Sequence, residues 1–246
     1  MGLDIYAGTL TRYYAHNWKS VVQQWAEANG YEFNRITPNS AEGEQEEELS
    51  HEEILRVVTD WSGQLIAAMS QNYGKKFEAW NEDHDTTPYY TDKPDWDAFM
   101  ALVLYTCCKI YNESVPETVE NNFDASAFSV LGRAANDDNV NLSLLKEAVW
   151  WVPIDESFYA AGPLPNGVNS VIGTVKALEA ELMIINGFEW EADEETILSW
   201  CKTEGYNTEK SEAGNNTVSL AKFAFSILWQ AVKFAKEHNV PIVLDF

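Results

Sequence analysis

The sequence predicts an α+β fold: one mainly helical domain over residues 1–246, with a small sheet that includes strands at both termini. Three observations predict it. Several long segments repeat apolar residues every three to four positions, the period of a helix with one buried face. Short alternating or wholly apolar runs stand near the two ends, as strands do. No fixed-period repeat divides the chain, and its only seam, the acidic stretch 37–48, leaves too short a segment before it for a separate core.

Taken in order, Gly2–Gly8 alternates Leu3 and Ile5 with Asp4 and Tyr6, which suits a half-exposed strand. From Asn17 a helix is expected with Trp18, Val21, Val22 and Trp25 on one face and Gly30 as its stop. Residues 37–49 follow as an acidic loop containing Glu42, Glu44, Glu46, Glu47 and Glu48. Ser50 and Glu53 form a capping box. The helix it opens carries Ile54, Val57, Val58, Trp61, Leu65, Ala68 and Met69 as a stripe and ends near Gly74.

A second acidic loop is expected at 80–95. Asp95 then caps a helix from Trp96 to about Asn112, apolar all round and therefore central. Ser114-Val-Pro-Glu117 repeats a helix-start signal. Residues 142–149 read as a short helix, 150–154 as a strand, and 155–170, rich in Pro and Gly, as a third acidic loop. Helices fit Thr174–Asn186 (Gly187 as stop), Asp193–Glu204 and Thr217–His238. The final VPIVLDF reads as a fully buried strand.

Charge narrows the function. The chain has 39 acidic and 16 basic residues, net −23, and a pI near 4.3. Such a field repels phosphates and anionic lipid, so no nucleic acid and no membrane surface is expected as a partner, whereas a basic protein would be steered in. Met1–Tyr14 lacks a signal-peptide pattern, and no uninterrupted apolar run reaches the ~18–20 residues of a membrane helix. The three cysteines, Cys107, Cys108 and Cys201, make no disulfide framework and no zinc spacing. The expected location is cytoplasmic.

The densest chemistry lies in WNEDHDTTPYYTDKPDWD, residues 80–97. Glu82, Asp83, His84 and Asp85 offer oxygen and nitrogen ligands for a hard cation. Four consecutive side chains cannot all point inward, and neither an EF-hand loop nor H-E-x-x-H occurs, so no metal is assigned. Asp155 and Glu156 follow a strand, where ligands gather in sheet-containing folds, and could serve as a general acid and base. Neighbouring carboxylates in an extended chain face apart, which weakens that reading. No G-x-S-x-G, GxGxxG or P-loop is present, and no cofactor is expected.

Aromatic residues make up 13% of the chain. Trp80, Trp190 and one of Trp150/Trp151 fall outside helical stripes and border acidic segments, the setting of aromatic anchors in a charge-complementary rim. The expected function is an acidic protein-binding module, an inhibitor or immunity-type protein for a basic partner. Its contact residues would be Trp80, Asp83, His84, Asp85, Trp151, Tyr159 and Trp190. The alternative is a carboxylate-dependent hydrolase acting on a glycosidic or similar bond through Asp155 or Glu156.

Overall fold

The computed structural model describes residues 2–32, 49–207 and 214–246. The acidic run Glu42–Glu48 lies outside them. A six-stranded mixed sheet forms from β1 (Asp4–Ala7), β2 (Tyr90–Asp92), β4 (Ala148–Val152), β5 (Tyr159–Pro163), β6 (Asn169–Thr174) and β8 (Ile242–Asp245). Its order is β2-β1-β8-β4-β6-β5, with β4 and β6 parallel and every other pair antiparallel. Both terminal strands are thus interior and adjacent, with Ile5 opposite Leu244 and Tyr6 opposite Val243. Outside this sheet, β3 (Thr118–Val119) pairs with β7 (Asn215–Asn216).

The period-2 alternation of the central strands divides their side chains between two cores. Leu3, Ile5, Ala7, Trp151, Ile242 and Leu244 join the larger one, with α4 (Trp96–Ile110), α6 (Val175–Glu189), α7 (Glu194–Thr203) and α8 (Thr217–His238). Tyr6, Trp150, Val152 and Val243 join the smaller one, beneath α1 (Leu10–Tyr14) and α3 (His51–Tyr73). Trp150 and Trp151 therefore do point to opposite faces, yet both are buried, because each face is covered.

The helical stripes hold where burial backs them. The Ser50–Glu53 capping box forms, and Gly74 ends α3 in the left-handed region at φ 63. Helix α4 is buried almost throughout and packs on α8 at the centre. Helix α8 is long and apolar enough to cross a membrane by length and composition, but eleven of its residues are buried in the core.

Other expectations fail for identifiable reasons. Ser114–Glu117 opens no helix, and the chain continues into β3. The expected helix at 142–149 shrinks to one 3-10 turn, Ser143–Leu145, because Ala148 already pairs in β4. The expected loop 155–170 contains β5, an edge strand whose Pro163 needs no amide partner on its outer side. Gly187 does not stop α6, which runs on to Glu189. The stripe of α2 (Val21–Ala28) faces outward: Ala26 is its buried residue, and Trp25 is 60% exposed.

Candidate functional site

The acidic loop at 80–87 is built into the fold through one carboxylate. Glu82 accepts hydrogen bonds from the amides of Leu10 (3.2 Å) and Thr11 (2.9 Å), from the Thr11 hydroxyl (2.9 Å) and from the Trp80 indole (2.8 Å). It thereby caps the first turn of α1, a helix whose amides come from another part of the chain. Burial nevertheless lifts its pKa above the ordinary carboxylate range. Arg12, on α1, returns the contact by donating to the carbonyls of His84 and Thr87 (the latter at 2.6 Å), and lies over the Tyr89 ring.

Glu82 and its neighbours do separate work. Asp83 closes a turn by accepting from the Asp85 and Thr86 amides and the Thr86 hydroxyl, bonds that hold its carboxyl below the usual range. The His84 ring meets the His51 ring edge-on at 5.4 Å, and Asp85 stands 3.6 Å from His84. The His51–His84 contact brings the first turn of α3, with Glu52 and Glu53, against the loop that carries Asp83 and Asp85. The start of α2 joins the same region, since the Lys19 amide donates to the Tyr89 hydroxyl at 3.2 Å.

This face is part apolar and open. A cleft of about 550 Å³ lies among Tyr14, His16, His51, Ile54, Val57 and Pro165. Leu49 and Val57, which line it, are exposed. Trp25 of α2 and Tyr31 just after it (60% and 62% exposed) stack at 5.6 Å with an interplanar angle of 13°. Stacked rings that burial does not require are the usual form of an interface anchor.

Of the expected contact residues, Asp83, His84 and Asp85 lie on this face. Trp80 does not offer a surface: it is 6% exposed, edge-on to Trp61 at 5.9 Å. Trp151 is fully buried, with its indole N–H on the Ser143 hydroxyl at 2.8 Å. Trp190 stacks on Tyr105 at 4.5 Å and packs against Trp200 and Phe225 in the larger core. Tyr159 is half-buried in β5, opposite Gly173. The acidic turn 191–195 leads into α7, which packs on α8 across the sheet from α1 and α3. Among the described residues, the start of α3 at 50–53 and the acidic loop at 83–85 therefore converge, and the turn at 191–195 does not join them.

Asp155 and Glu156 diverge. Asp155 pairs with Lys176 at 2.8 Å, and Glu156 with Lys75 at 2.7 Å. Each ammonium holds its carboxyl below the ordinary range, which is the wrong direction for a general acid near neutral pH. The hydrolase alternative gains nothing from this arrangement.

Glu181 has the most unusual environment and had no place in the expected site. It lies on the buried face of α6, 4% exposed. It accepts from the Ser143 amide (2.6 Å), the Ser143 hydroxyl (2.9 Å) and the Leu144 amide (3.1 Å). Burial outweighs those three bonds and pushes its pKa up to about 7. A carboxylate at 181 amid Ala177, Leu178, Leu182 and Ile185 was the sequence signal for it. Neither a family model, nor a curated protein, nor a solved structure matches this chain.

Proposed function

We propose that the chain is an acidic cytoplasmic module that binds a basic protein partner, as an inhibitor or immunity-type protein would. The exposed Trp25–Tyr31 stack carries this reading: it supplies an aromatic anchor at α2, the helix whose start meets the acidic loop of Asp83 and Asp85 through Lys19 and Tyr89. Its anchors are thus Trp25 and Tyr31, in place of the buried Trp80 and Trp151. Carboxylates at the rim would speed encounter with a cationic surface, while the rings and the cleft beside His51 supply contact area. The thiols of Cys107, Cys108 and Cys201 are free, in keeping with a reducing compartment.

The test is affinity capture from the native lysate, followed by binding kinetics of the captured protein at several salt concentrations. A basic partner, an association rate that falls steeply with salt, and a loss of about tenfold or more in affinity for Trp25→Ala are expected. That variant should keep its melting temperature. A partner of neutral or acidic charge, or binding indifferent to both salt and Trp25→Ala, would overturn the reading.

A further inference from the structure

On the other side of the sheet lies a cavity of about 520 Å³, between α4, α5 (Ser129–Asn136) and the ends of β4 and β8. Its wall is built from Trp96, Phe99, Met100, Leu131, Leu145 and Phe246. The volume falls within the roughly 300–1,000 Å³ of small-molecule sites, and so does the pattern of apolar walls with few polar groups. Cys107 also lines it, but burial raises that thiol to about 12, so it is an inert part of the wall.

Among the described residues lining this cavity, Glu147 carries the one charged side chain. It is exposed at the rim, and its backbone adopts φ 59, a left-handed conformation that a glutamate rarely takes. The neighbouring lysine does not neutralise it: the Lys146 ammonium donates to the carbonyls of Ala134, Ala135 and Asp137 at the end of α5. No Lys or Arg among the described residues forms an ion pair with Glu147. An apolar chamber beside one uncompensated side-chain carboxylate matches a ligand with an apolar body and a cationic head. The net charge of −23 disfavours the opposite choice, a fatty acid or other anion. Trp96 and Phe246, in edge contact at 5.1 Å, add ring surfaces attractive to a cation.

We propose that this cavity binds a small amphiphilic amine, with its hydrocarbon or aryl body among Trp96, Phe99 and Leu131 and its ammonium on the Glu147 carboxylate. The site is independent of the protein-binding face and is judged without reference to it.

The test uses three probes of one shape, 4-phenylbutylamine, 4-phenylbutanol and 4-phenylbutyrate, titrated by calorimetry and by tryptophan fluorescence. Saturable one-site binding is expected, with the amine about fivefold tighter than the alcohol at low salt and the butyrate weakest. Glu147→Gln should bring the amine down to the alcohol. Gly132→Phe should abolish binding of all three: Gly132 lines the cavity, and a Cβ there meets no atom within 4 Å, so the variant should fold. Equal affinity for amine and alcohol, an amine preference that survives Glu147→Gln, binding unchanged by Gly132→Phe, or no binding of any probe would each overturn the proposal.

Discussion

Replacing Glu181 by glutamine should remove a component of the protein's pH dependence that only a buried carboxyl can supply. The unfolded side chain ionises near 4.5, whereas in the folded protein burial against Ser143 and Leu144 raises that to about 7. Below pH 4.5 the proton is bound in both states, and the group's stabilising contribution is fully present. Between 4.5 and 7 the folded state keeps a proton that the unfolded state has released, so stability falls by about 1.4 kcal/mol per pH unit. The loss amounts to about 3 kcal/mol and is complete once pH has passed the folded value. Glu181→Gln keeps the volume and cannot ionise. It also turns an N–H₂ group towards one of the two amides, a cost that does not vary with pH. Urea unfolding, followed by tryptophan fluorescence from pH 4.5 to 8, measures the difference between the two proteins. That difference should shift by about 3 kcal/mol in favour of the variant as pH rises. The carboxyls of Asp83, Asp155 and Glu156 are held low and act in the opposite sense, but both proteins share them and they cancel. Parallel stability curves would show that the carboxyl titrates as it does in the unfolded chain, and the reasoning would fail.

Glu82→Ala should cost about 2–4 kcal/mol in denaturant unfolding, because it strands two amides of α1 and the buried Trp80 indole; a loss under about 1 kcal/mol would mean that water replaces the carboxylate. Gly173→Ala should be as damaging, because its Cβ would lie 2.6 Å from the Trp151 ring; a melting temperature unchanged within a degree or so would contradict it. Glu147→Gly should stabilise by about 1 kcal/mol through relief of the left-handed backbone, and should abolish preference for an amine over an alcohol. Calorimetry reads both effects.

The parts of the fold legible in the sequence are those where local pattern and burial coincide. Ser50 with Glu53, the all-round apolar α4, the mostly apolar α8, and the strands at Asp4–Ala7 and Ile242–Asp245 each announce themselves within one short window, although Asp4–Ala7 reads as half-exposed and is buried on both faces. What was not legible depends on distant partners. Strand β5 contains Gly162 and Pro163 and is a strand only because β6 lies beside it. Trp80 and Trp190 look like surface residues beside acids until Trp61 and Tyr105 close over them. The stripe on α2 has a proper helical period but meets no core. In the candidate site, Asp83, His84 and Asp85 were legible as a loop. The capping role of Glu82 was not, since the amides it satisfies lie some seventy positions away.

The pairing of β1 with β8 sets a timetable for synthesis. Asp4–Ala7 leaves the ribosome well before residues 242–245, which supply one of its two flanking strands. Until then Leu3 and Ile5 have only a partly assembled sheet to lie in, and the larger core still lacks α8. The nascent chain must carry exposed apolar surface until residues 242–245 emerge, so demand for chaperones should be greatest just before β8 appears.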